Sequence, residues 1–139
     1  MTTRSAQVVV DAPLPVVRQI LLEPSALADW NPAFLSVKAP RTAAVGQRYP
    51  LWTRGAFKGF LEYRHVTGTL IAAHWEVPGF VEDHSWELRP HHRRTHVTHL
   101  FEHHGALAAV LRPAFANVAE LRLGRLAERA EGRAAVREV

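Results

Sequence analysis

Nine histidines in a chain of 139 residues without a single cysteine are the side chains best equipped for chemistry. They are His65, His74, His84, His91, His92, His96, His99, His103 and His104. Imidazole exchanges a proton or takes a metal near neutral pH. The missing thiols exclude disulfides, zinc-thiolate sites and cysteine nucleophiles. The sequence also lacks the G-x-S-x-G, P-loop and G-x-G-x-x-G patterns. His91-His92 lie in a predicted turn and His103-His104 close a predicted strand, so solvated surface accounts for those four.

The sharper candidates are His84 and His99. If Pro90–Arg93 is a four-residue turn, position 86 pairs with 97 and position 84 with 99. His84, Trp86, Leu88, Thr95, Val97, His99 and Phe101 then share one face, apolar enough to line an interior. Two imidazoles facing each other there would have lowered proton affinity and could serve as acid or base toward an enol or β-hydroxy ketone. They are the candidate catalytic residues, although no Asp or Glu is placed to orient either. A zinc-like trio would need His74 on the same face. Its strand alternates Ile71, Ala73, Trp75 and Val77 against Leu70, Ala72, His74 and Glu76, and choosing Trp75 inward sends His74 outward. Neither a metal site nor a cofactor is expected.

For binding, the aromatic residues carry more weight. Trp30, Tyr49, Phe57, Tyr63, Trp75, Trp86, Phe101 and Phe115, together with His84 and His99, form the predicted ligand-binding set. Singly each fits a packed core. As a set, large rings with polar handles suit a ring-bearing, amphipathic ligand.

The elements that must position these residues follow from periodicity and breakers. Gln7–Val10 is a β-branched run ended by Asp11-Ala12-Pro13. Val16, Val17, Ile20 and Leu21 recur at helical spacing over 14–22, and residues 25–29 allow a second short helix before Asn31-Pro32. Strands are predicted at 34–39, 47–53, 57–66, 69–77, 82–89 and 94–103, separated by turn signals at Pro40-Arg41, Arg54-Gly55, Gly68, Pro78-Gly79 and Pro90-His91. A long amphipathic helix over 105–131 carries Leu107, Val110, Leu111, Ala114, Phe115, Val118, Leu121 and Leu126 on one stripe, with Pro113 kinking it or marking its true start. Residues 132–139 are expected to fray. Seven strands and one long helix are most simply combined as an α+β domain spanning 1–139, a strongly curved antiparallel sheet around the helix. Space left between the two is where a ligand would sit.

The net charge of +4 comes from 15 Arg and 2 Lys scattered over the chain. Scatter gives no phosphate-tracking stripe, so no nucleic-acid partner is expected. No apolar stretch approaches the roughly 20 residues that span a bilayer. With no apolar signal core after Met1 and no cysteine, a cytoplasmic protein is expected.

The segments resemble the START-like, or SRPBCC, superfamily of polyketide cyclases/dehydratases and lipid-transfer proteins. Asp11-Ala12-Pro13…Val17…Leu21…Leu27-Ala28-Asp29-Trp30-Asn31-Pro32 looks like its N-terminal signature. Val45-Gly46 is similar to the glycine that opens its third strand, Leu88-Arg89-Pro90…Thr95-His96-Val97-Thr98 to its "L-x-P…T-x-V-T" hairpin, and the C-terminal helix matches. Arg18 and Arg94 depart from the pattern, which usually has an aromatic and a glycine there. The resemblance implies a helix-grip fold, with two short helices between strands 1 and 2, and a cavity. It does not fix the ligand. Three readings stay open. One is a binder or carrier of a small hydrophobic, lipid- or polyketide-like or aromatic molecule. The second is a cyclase or dehydratase using the same pocket, and the third a protein-interaction module, marked by an apolar patch on the convex face. Whether the chain is an enzyme, and whether it forms a homodimer, is left open.

Overall fold

The computed structural model describes residues 2–138 and shows an α+β helix-grip architecture. Strand β1 (Thr2–Val10) is followed by helix α1 (Leu14–Leu21), a 3-10 helix (Pro24–Asp29), and strands β2 (Phe34–Val37), β3 (Arg48–Thr53), β4 (Lys58–Val66), β5 (Leu70–Val77), β6 (Phe80–His91) and β7 (Arg94–His104). A short 3-10 helix (Pro113–Phe115) precedes the last helix, α2 (Val118–Glu138). The sheet is antiparallel throughout, in the order β1-β7-β6-β5-β4-β3-β2. Each hairpin lays a strand beside its predecessor, and β1 returns to the free edge of β7. Bulges in β2 and at Tyr63/His65 of β4 break the ladder, which adds local twist and helps the sheet curl.

Helix α1 forms because Pro13 pre-sets its entry and Val16, Val17, Ile20 and Leu21 bury one face. Helix α2 packs on β1, β7 and α1. It buries Ala119, Arg122, Leu123, Leu126, Ala130 and Ala134, a stripe recurring every three to four residues. Small alanines let the helix lie close against the strands.

Three expectations need correction. The final helix begins at Val118, and residues 105–117 are turns with one 3-10 turn. Gly105, at φ +105°, sits so close to the Gly79 carbonyl that a Cβ would collide, and Pro113 supplies no N–H to a continuous helix. Because that segment is not in phase with α2, the stripe read across both was misaligned: Val110 and Leu121 are exposed, and Arg122 faces the core. At the other end, α2 continues through 132–138 to Glu138. Finally, the β6–β7 turn has two residues rather than four. His92, at φ +58°, and Arg93 join His91 to its partner Arg94, so Trp86 pairs with His99 and His84 with Phe101. The slip is of two residues, so every side chain keeps its face.

Candidate functional site

Alternation along β6 and β7 aims Phe80, Glu82, His84, Trp86 and Leu88 inward from one strand, and Thr95, Val97, His99, Phe101 and His103 from the other. Half of these side chains are apolar, and Glu82 stands among them with no exposure at all. Its two oxygens accept five hydrogen bonds. Oε2 takes Trp75 Nε1 at 2.7 Å, His84 Nδ1 at 2.7 Å and Arg122 Nη1 at 3.0 Å. Oε1 takes His103 Nε2 at 2.8 Å and Arg122 Nη2 at 2.9 Å. The guanidinium of Arg122, itself fully buried, reaches from the first turns of α2 and closes on the carboxylate as a two-pronged fork. Burial alone would push the Glu82 carboxyl up; the charge of Arg122 and the bonds from His103 and His84 outweigh it and hold it well below the usual carboxylate range.

These contacts fix the imidazole tautomers. Glu82 only accepts, so His84 is protonated at Nδ1 and His103 at Nε2. Arg122 Nη1 lies 3.2 Å from His99 Nε2, and His99 Nδ1 lies 3.0 Å from the Ser85 carbonyl. Arginine can only donate, so His99 carries its proton on Nδ1 and is neutral. Burial first, then the charges of Arg122 and His84, depress its proton affinity well below the ordinary histidine range. Stacked on His99, the Trp86 ring lies 3.6 Å away, and the His84 ring is 5.7 Å distant. His84 and His99 are therefore diagonal neighbours, not a directly opposed pair.

The absence of an orienting carboxylate is overturned by Glu82. His103, expected in solvent, is 1% exposed. Glu82, His103 and Arg122 were all missed. Glu82 and His103 share the alternation of His84 and could have been found from it, whereas Arg122 required the true phase of α2. His74 points to the opposite face, where Asp83 and Glu76 each hold a ring nitrogen at 2.7 Å and Phe60 covers it. Among the described residues, no three His, Cys, Asp or Glu side chains are arranged to hold a metal ion.

Beside this cluster lies a cavity of about 350 Å³, at the lower end of the roughly 300–1,000 Å³ of ligand pockets. Its inner wall is Trp75, Phe80 and Phe115, and Leu107, Leu111 and Val118 close it from the 105–118 side. The inner wall is one ring thick: Trp75 bonds Glu82 behind it, and the Phe80 and Phe115 rings lie 4.6 and 4.5 Å from His103. Deeper in, beneath Trp30, Trp86 and His84, only about 10 Å³ is open, room for about one water.

Of the predicted ligand-binding residues, Phe57, Trp75 and Phe115 line the cavity, Phe57 at its rim with half its surface exposed. The rest lie in the packed interior. Trp30 stands edge-on to Trp86 at 5.6 Å. The Tyr49 hydroxyl accepts from the Ala44 N–H at 2.8 Å, and the Tyr63 hydroxyl donates to the Leu21 carbonyl at 2.6 Å. Burial, with Tyr49 and Glu23 nearby, raises the Tyr63 hydroxyl far above its ordinary pKa. Phe101 is fully buried beneath the Arg122 guanidinium, 5.1 Å away.

Together these features define a helix-grip domain whose interior is filled by aromatic rings and an ionic cluster, with an apolar cavity at one end. No family model and no curated protein matches the chain. Solved structures do. Protein jhp0584 of Helicobacter pylori superposes with a TM-score of 0.75 at 18% identity, over 93% of this chain and 88% of that one. The Zhui aromatase/cyclase of Streptomyces sp. R1128 gives 0.73 at 17% identity, over 95% and 94%. DynU16, from the dynemicin biosynthetic locus, gives 0.64 at 20%, over 91% of this chain and 46% of its own. At these identities the likeness is one of fold: a curved antiparallel sheet gripping a C-terminal helix. No helix among the described residues is long and apolar enough to cross a membrane.

Proposed function

We propose that this protein binds a small hydrophobic or aromatic molecule, lipid- or polyketide-like, in the cavity between the sheet and the 105–121 segment. The observation that carries the reading is the lining. Of the fifteen residues around the cavity, only Thr53 and Arg54 are polar, and the Trp75 indole N–H is turned away to Glu82. A surface so poor in hydrogen-bonding groups gains by excluding water and loses little by taking an apolar guest. Two fold relatives, an aromatase/cyclase and a protein of the dynemicin biosynthetic locus, support a ring-bearing guest. The test is native mass spectrometry of the purified protein, followed by calorimetric titration with 2-naphthol. A co-purifying apolar molecule or saturable 2-naphthol binding is expected; neither appearing would end the reading.

A cyclase or dehydratase activity in the same pocket is the second reading, favoured by one feature. Glu82 fixes the His84 ring through Nδ1 and leaves Nε2 free to exchange a proton with a guest. That nitrogen lies behind the aromatic wall, so turnover would require the Phe115 side of the cavity to open. His84→Gln and His99→Gln separate the readings: turnover of an identified substrate that survives both changes eliminates catalysis by these groups.

A further inference from the structure

We infer that the cavity selects an anionic guest, with its carboxylate or similar oxyanion bound at the rim by Arg54, an inference that rests on the binding reading above. Fifteen residues line the cavity, and Arg54 is the one ionisable group among them. It stands in the β3–β4 turn, where Gly55 at φ +88° and Ala56 at φ +63° fold the chain back, and the Thr53 N–H donates to the Phe57 carbonyl at 2.9 Å. Its side chain is anchored rather than free: Nε donates to the Pro32 carbonyl at 2.8 Å, across 22 residues of sequence. Pro32 itself lines the same cavity.

That anchor determines what remains. With Nε occupied, the two terminal nitrogens form the available edge of the guanidinium, and this edge matches the two oxygens of a carboxylate. No Asp or Glu oxygen lies within 4 Å of Arg54 among the described residues, although Arg48, Arg64, Arg94, Arg122, Arg129 and Arg133 each have one. An unneutralised, positioned cation on the rim of an otherwise apolar cavity matches an amphiphile whose body enters and whose anionic head stays at the mouth. Buried Arg122, by contrast, has its terminal nitrogens on Glu82 and His99 and does not line the cavity.

The experiment compares 2-naphthoate with 2-naphthol, which present the same ring system with and without the charge, by titration calorimetry on the wild-type protein and on Arg54→Gln and Arg54→Lys. Wild type should bind 2-naphthoate about fivefold more tightly than 2-naphthol at low salt, as expected for an exposed ion pair of good geometry. The ratio should fall toward one in 1 M NaCl, where screening acts over about 3 Å. In Arg54→Gln it should collapse to one or below, and Arg54→Lys, which keeps charge but loses the fork, should fall between. Equal binding of both ligands by wild type, or a ratio untouched by Arg54→Gln, overturns the oxyanion site while leaving the cavity reading standing. Failure of both ligands to bind wild type would instead count against the cavity itself.

Discussion

Replacing Glu82 by glutamine tests the central cluster, because the change is nearly isosteric and removes only the charge. Placed at the Oε2 position, the glutamine oxygen can still accept from Trp75, His84 and Arg122 Nη1. Its amide NH2, however, then points at two other donors, His103 Nε2 and Arg122 Nη2. Arg122, without solvent exposure, loses its counter-charge in the same step. Removing one partner of a buried ion pair costs about 3–5 kcal/mol, a large part of the roughly 5–15 kcal/mol that holds a domain folded. Urea denaturation followed by far-UV circular dichroism should show the midpoint falling by about 2 M for an m-value of about 2 kcal/mol/M. Arg122→Met should be costly for the reciprocal reason. The double variant Glu82→Gln/Arg122→Met removes both charges and should recover most of the loss, a coupling of about 3 kcal/mol. A Glu82→Gln cost under about 1 kcal/mol, or double-variant losses that simply add, would refute the account of a sealed, mutually dependent pair.

Acid should weaken the fold, with the sign set by two depressed groups. His99 stays neutral when folded but takes a proton when unfolded below about pH 6.5, so the stability it contributes is present above that pH and lost below it. Glu82 adds its share below about pH 4.5. Between pH 6 and 5, wild-type stability should fall by up to about 1.4 kcal/mol per unit from His99 alone, and urea midpoints of His99→Gln should lack that part of the slope. Val118→Trp, placed in the cavity wall, should abolish 2-naphthol binding in calorimetry with a melting temperature within a few degrees of wild type; retained affinity would mean that the guest binds elsewhere. Gly59→Ala should cost about 3 kcal/mol or more in chemical denaturation, since a Cβ there collides with the Glu76 carbonyl across the β4–β5 pair.

Alternating residue types specified the sheet and the face that most of its side chains take, His103 excepted. Strict alternation through β5, β6 and β7 places Trp75, His84, Trp86 and His99 on the concave side and His74 on the other, and a period of two survives an even register error. The turn chemistry at Pro78-Gly79 and around His91-His92 located the hairpins, although not the length of the second one. Tertiary structure alone decided what the inward groups do. Glu82 is an ordinary acidic residue on an alternating strand until Arg122, forty positions later, is turned toward it by a helix whose phase becomes visible only once 105–117 is known to be separate. The same separation decides where the open space lies. Rings from distant segments fill the middle of the grip, and the cavity lies where residues 107–118 face Trp75, Val77 and Phe80 of the sheet. Periodicity reports which face a residue takes; partner and void depend on how far apart two elements finally pack, and that distance is set by all their side chains together.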